Sequence, residues 1–206
     1  MRLKHVKGAS EQIEASNYIV KKLDNLSKKE LFNNDNPLYI EIGMGKGDFI
    51  IENALRYPNI NFIGIEKYDS VIVRAVQKLN DKDIPNLKLI RMNANEIDKV
   101  FKKEVDLIYL NFSDPWPKDR HAKRRLTSDV FLAKYDTILK EKHIIMKTDN
   151  RNLFEYSIIS FTDYDYKIKK ISLDLYKEDI TNNIPTEYEK KFVEKGFPIY
   201  KIEVYK

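Results

Sequence analysis

The side chains that could do chemistry in this 206-residue chain stand at the ends of short apolar runs. The run Leu38–Ile42 (LYIEI) carries an acid, Glu41, and leads into GMGKGD, where three of only six glycines lie, at 43, 45 and 47. Glycine accepts positive φ and lets a ligand approach the backbone, so ligand contact is expected at Gly43 and Gly45. The spacing is G-x-G-x-G. A dinucleotide fingerprint needs a glycine where Asp48 stands, and no G-K-[S/T] of a P-loop is present. About 20 residues on, the run Asn61–Glu66 ends in Glu66, at the distance of an acid that grips ribose hydroxyls. Residues 87–92 lead into Asn93, whose amide can hydrogen-bond an adenine edge. Glycine loop, acid and amide in that order describe an adenosine-containing ligand without a diphosphate. S-adenosyl-L-methionine (SAM) fits, with Glu41 or a neighbour meeting its cationic or ammonium end.

A second constellation is NFSDPWPKDRHAKRRL, residues 111–126. The single tryptophan, Trp116, sits between two prolines behind Asp114. Proline fixes φ and restricts the residue before it, so Asp114 and Trp116 are both expected in extended geometry. Lys118, Arg120, Lys123, Arg124 and Arg125 follow, opposed only by Asp114 and Asp119, with His121 among them. A cluster of this sign beside an acid at a strand end calls for a polyanion, most economically a nucleic-acid backbone.

The elements that must hold these groups alternate. Apolar runs at 38–42, 61–66, 87–92, 105–112 and 143–147 are separated by helical stretches at 48–57, 69–80, 95–102, 128–139 and 150–161. Near-continuous apolar strands between helices require a parallel sheet covered on both faces, and right-handed crossovers make it doubly wound α/β. Residues 164–175 alternate with a phase shift that predicts a bulge at Lys169 and Lys170, and 197–205 alternate again. These are two closing strands, at least one antiparallel, with residues 176–196 inserted between them on the substrate side. Residues 1–36 form an N-terminal extension, with an amphipathic helix expected over 11–26 through Ile13, Ile19, Leu23 and Leu26. A single domain spanning 1–206 is expected.

Composition narrows the chemistry. Hydrophobic content of 42% supports a core, and with no cysteine, disulfides, thiolate metal sites and cysteine nucleophiles are excluded. Three scattered histidines (His5, His121, His143) give no metal site, and no apolar run reaches the ~18 residues of a membrane span. A cytoplasmic protein without metal or membrane partner is expected, as monomer or homodimer. The net charge of +5 is modest, so its clustering beside Asp114 is what carries information.

The segments EIGMGKGDF, NFSDPWPKDRHAKRRL, KTDNRNLFEYS and TEYEKKF resemble the motif series of the bacterial tRNA (guanine-N7-)-methyltransferase family, in order from about residue 38 to 192. The resemblance implies a seven-stranded, Rossmann-like class I methyltransferase sheet and methyl transfer to N7 of a variable-loop guanosine, position 46 in tRNA numbering. It implies that Glu41, Glu66, Asn93 and Asp114 contact SAM and that Asp114 is the catalytic residue. It further implies that Lys118, Asp149 and the stretch Thr186, Glu187, Tyr188 and Glu189 bind substrate, and that residues 120–125 contact RNA. Where related sequences carry Asp at the adenine-edge position, this chain has Asn93.

Guanine N7 carries a free lone pair, so its methylation needs alignment and exclusion of water, not a general base. Asp114 can follow the positive charge from sulfonium to purine, or can accept from guanine N1–H and N2–H₂. Asp149 and Glu189 are further acceptors for that edge. Trp116 can wall the pocket, stack on a base or fill the core. Thr186 and Glu189 also spell a capping box, and Asp149 precedes a helix and can cap it. Two other readings remain open on residues alone: an amino-methyltransferase, since Asp114-Pro115-Trp116 is similar to (D/N)-P-P-(Y/F), and a non-catalytic RNA-binding protein.

Overall fold

The computed structural model describes residues 6–24, 26–178 and 180–206; residues 1–5 of the expected extension, with His5, lie outside them. In chain order the elements are α1 (Ala9–Ala15), α2 (Lys28–Phe32), β1 (Leu38–Ile42), α3 (Asp48–Arg56), β2 (Asn61–Glu66), α4 (Asp69–Leu79), β3 (Leu87–Arg91), α5 (Ile97–Val100), β4 (Leu107–Asn111), α6 (Asp129–Ile138), β5 (His143–Thr148), α7 (Arg151–Asp163), β6 (Lys167–Ser172), α8 (Glu187–Glu194) and β7 (Tyr200–Tyr205). The seven strands form one sheet in the order β3-β2-β1-β4-β5-β7-β6. The first five are parallel, and β7 runs antiparallel to both β5 and β6. This is the doubly wound α/β sheet that the alternating runs predict, and the register slips between Ile168 and Lys170, where the phase shift predicts a bulge.

Both faces are covered, which explains why β2 is buried at every position. On one face Ile40, Ile42, Ile63, Ile108 and Leu110 meet Phe131, Leu132 and Tyr135 of α6 and Leu153, Phe154 and Phe161 of α7. On the other, Phe62 and Leu89 meet Ile13 of α1, Ile50 of α3 and Ile72, Val73 and Val76 of α4. Leaving about 25 cal/mol for each Å² of apolar surface removed from water, these two layers are the main source of stability.

The helix expected over 11–26 is not continuous. It ends at Ala15, and Tyr18 and Val20 instead pair with β3, Leu89 N donating to Tyr18 O at 2.8 Å and Val20 N to Leu89 O at 2.9 Å. The reason is visible in the packing: Ile13 and Ile19 belong to one face of the sheet and Leu26 to the other. A single straight helix cannot wrap the sheet edge, and the exposed N–H and C=O groups of β3 gain partners from the extended chain.

Candidate active site

The strand order reverses between β1 and β4, and the crevice above that point is where an open α/β sheet binds ligands. Glu41 is the penultimate residue of β1, close to this edge, with Tyr109 of β4 as its register partner. It is 1% exposed, and Asn111 Nδ2 donates to its Oε1 at 2.8 Å. Glu41 Oε2 and Asn111 Oδ1 are buried without a protein partner. Burial pushes the Glu41 carboxyl up to about 7, opposed by the Asn111 hydrogen bond and the charge of Lys147. Both unpartnered oxygens are free to accept a hydrogen bond or to meet a cation at this edge.

The glycine loop is strapped over β2: Gly43 N and Met44 N both donate to Ile65 O, at 2.9 and 3.0 Å. Gly43 and Gly45 have φ of 79° and 59°, and a Cβ at either would meet open space rather than protein. Their glycines are required by backbone geometry, and the space beside them is free for a ligand. Gly64 of β2 is required for a different reason, since a Cβ there would overlap Met44 Sδ. Glu66 ends β2 and accepts from Lys67 N at 2.8 Å, Tyr68 N at 3.1 Å and Gly45 N at 3.3 Å. Burial raises its carboxyl, and the three backbone donors pull it back. A carboxylate has about four acceptor sites, so it retains capacity for a hydroxyl. Asn93, just past β3, is exposed and accepts from Asn95 N at 3.0 Å through Oδ1, leaving its NH₂ available. Orphaned Glu41 and Asn111 oxygens, a bare glycine loop and Glu66 together fit SAM.

Asp114 follows β4 by three residues and is exposed, with Lys118, Asp119, Arg120, Lys123 and Arg124 exposed after it. Trp116 is not extended: its φ is 42°, so the prolines bracket a left-handed turn. Phe112, φ 51°, turns the chain out of β4 in the same way. The turn at Trp116 is held from the basic run itself. Arg125 Nε donates to Pro115 O at 3.2 Å and its NH2 to Trp116 O at 3.1 Å, while the guanidinium lies 4.2 Å from the Tyr156 ring centroid. Arg124 covers the Trp116 ring at 4.9 Å, and His121 meets it edge-on at 5.7 Å. Trp116 is thus the centre about which the loop folds.

Across the cleft, the first turn of α8 reaches three neighbours in succession. Lys46 Nζ of the glycine loop sits 2.9 Å from both carboxylate oxygens of Glu187, whose carboxyl the hydrogen bonds of Lys191 and then Lys46 hold down to about 2. Tyr188 lies beside Asp149, its hydroxyl pKa raised by burial and then by the Asp149 charge, and packs against Phe112 at 5.2 Å and Phe192 at 4.2 Å between centroids. Glu189 is fully buried against Lys147 of β5. Thr186 and Glu189 do form the reciprocal capping box. Asp149 is not a cap. Asn150 takes that role, its Oδ1 accepting from Leu153 N at 2.8 Å, which leaves the half-buried Asp149 carboxyl, raised by burial, facing Tyr188. The structure therefore gathers Glu41, Glu66, Asn93, Asp114, Asp149, Thr186 and Tyr188 near the carboxyl ends of the parallel strands, and removes Glu189 from any solvent-facing surface.

Sequence reasoning passes over Asn111, Lys147 and Phe112. The first two had a signal, a polar side chain inside or closing an apolar run (LIYLN, HIIMK). Phe112 had none, because its left-handed backbone cannot be read from an aromatic residue.

A doubly wound sheet carrying this edge defines a class I methyltransferase fold, and a solved "Antibiotic Related Methyltransferase" shares it, with a TM-score of 0.65 at 20% identity over 90% of this chain and 96% of that one. The chain belongs to the Methyltransf_4 family, described as "Putative methyltransferase", whose model matches residues 35–202. It is 49% identical over 208 residues to the tRNA (guanine-N(7)-)-methyltransferase of Bacillus licheniformis, covering 98% of each chain. It is 50% identical over 208 residues to the protein of that name in Bacillus cytotoxicus, covering 98% of this chain and 96% of the other.

Proposed function

We propose that the chain is a cytoplasmic enzyme that transfers the methyl group of SAM to N7 of the variable-loop guanosine at position 46 of tRNA. The observation that carries the reading is the buried Glu41–Asn111 pair with two unmet oxygens, at the switch point beside Asp114 and the exposed basic run. The near-full-length relatives named for guanine-N7 transfer support the same reaction class. When bound, SAM supplies a methyl group activated on a sulfonium. The chain supplies everything that aligns it. Gly43 and Gly45 let the backbone approach, Glu66 accepts from ribose hydroxyls, Asn93 meets the adenine edge, and Glu41 faces the cationic end.

The acceptor needs no base, so the site works by proximity and charge. Asp114, presented by a turn that Arg125 pins, lies at the purine and follows the charge that develops there. Asp149 and Tyr188 bind the guanine side, and Lys118, Arg120, Lys123 and Arg124 hold phosphates. Glu187 is committed to Lys46 and acts through the glycine loop. The test is transfer of labelled methyl to a tRNA transcript followed by nucleoside digestion. Label in 7-methylguanosine is expected; label in N6-methyladenosine would replace this reading with an amino-methyltransferase, and no transfer with donor still bound would leave a binding protein.

A further inference from the structure

Glu189 spends its whole acceptor capacity inside the protein. Its Oε2 accepts from Lys147 Nζ at 2.5 Å and Thr186 N at 3.2 Å, and its Oε1 from Asn183 Nδ2 at 2.8 Å and Tyr176 OH at 3.1 Å. Lys147 is equally committed. Beyond Glu189, its ammonium donates to Ile184 O at 3.0 Å and Asn183 Oδ1 at 3.3 Å, using all three donors, and it lies 5.0 Å from the Phe49 ring centroid. The side chains are 4% and 0% exposed. Every partner of Glu189 other than Lys147 lies within residues 176–189, whereas Lys147 belongs to β5. The pair is therefore the joint between the insertion and the sheet.

We propose that Lys147 and Glu189 are positioning residues: together they seat the insertion, residues 176–196, so that Tyr188 stands beside Asp149, and neither side chain touches tRNA. The activity part of this inference rests on the methyl-transfer reading; the seating part does not. The neighbouring contacts agree with it. Glu187 and Tyr188, the two residues just before Glu189, face Lys46 and Asp149. Shifting Glu189 by one position would misplace both.

The chemistry of a buried ion pair supplies a test. Removing one partner strands a charge, whereas removing both charges is often neutral, so a joint can be rescued by its second substitution and a substrate contact cannot. The variants are Glu189→Gln, Lys147→Met and the two combined. Tryptic cleavage within the insertion, at Lys177, Lys190, Lys191 or Lys195, is followed together with kcat and KM for a tRNA transcript. Each single substitution is expected to speed cleavage about tenfold or more and to raise KM for tRNA, and the double variant to return both to within about threefold of the unsubstituted protein. A double variant that resists trypsin normally but is as inactive as Glu189→Gln would put Glu189 on the substrate. Unchanged cleavage in both singles, or no recovery in the double, would also overturn the inference. Should a single variant fail to fold, Asn183→Ala removes one donor to Glu189 without stranding a charge. Faster cleavage is expected there too, and cleavage at the original rate would count against the joint. If the unsubstituted protein transferred no methyl to tRNA, the functional reading would fail while the cleavage comparison still decided the seating.

Discussion

Burial lifts the Glu41 carboxyl from its ordinary value of 4.5 to about 7, despite the Asn111 hydrogen bond. Its folded value lies above the unfolded one, so the native state holds more protons across that window. Stability from this group therefore falls as pH rises from about 4.5 to about 7. A cation placed on Oε2 favours the ionised form, so donor binding should expel a proton below about pH 7. Calorimetry in buffers of different ionisation heat is expected to show SAM affinity weakening on acidification below that point, and Glu41→Gln to bind weakly without this dependence. A pH-independent affinity would remove Glu41 from the cationic end. Asp114→Ala should lower kcat by roughly 10²–10³ with tRNA affinity largely kept, and an equal loss of affinity would make Asp114 a binding residue instead. The two adjacent arginines should separate. Lys123→Ala with Arg124→Ala should reduce the slope of log affinity against log salt by roughly two. Arg125→Ala should leave that slope nearly unchanged and lower kcat, because its guanidinium holds Pro115 O and Trp116 O.

Among the elements, β2 and the glycine loop meet closely at Gly64 and Ile65. A methyl at Gly64 would overlap Met44 Sδ, so Gly64→Ala is expected to cost about 1–3 kcal/mol by overpacking and to weaken SAM binding further by displacing the loop. Denaturant unfolding and donor titration check this; a stable variant with normal SAM affinity would show that the loop position is not set by this contact. The elements were legible in the sequence wherever burial imposed a period. The five parallel strands, the helices between them and the bulge beside Lys170 follow from apolar patterning alone. Residues 16–27 did not, because Ile13, Ile19 and Leu26 keep helical spacing while serving opposite faces of the sheet, a tertiary fact that no local pattern encodes. The left-handed turn at Trp116 escaped for a related reason. Prolines restrict their neighbours, but the carbonyl grip of Arg125, from nine residues further on, selects among what remains. Glu189 reads in sequence as a cap and an acceptor for the guanine edge; only the fold brings Lys147 beneath it.

Across the whole molecule, the parallel strands converge on one edge, the antiparallel pair β6 and β7 closes the far side, and the insertion between those two strands returns α8 to the cleft. Glu187 touches the glycine loop, Tyr188 faces the end of β5 and Glu189 its interior, so the proposed donor and acceptor sides share one connected set of contacts. The net charge of +5 is small and its basic side chains concentrate after Asp114, so on the proposed reading their main use is to orient the RNA. The most direct test of this account is to map the methylated base: a tRNA transcript is treated with the protein and SAM, reduced with borohydride and cleaved with aniline. Cleavage at guanosine 46, lost when that base is changed to adenosine, is the predicted result. Cleavage at another guanosine, or persistence of label after the change, would contradict it.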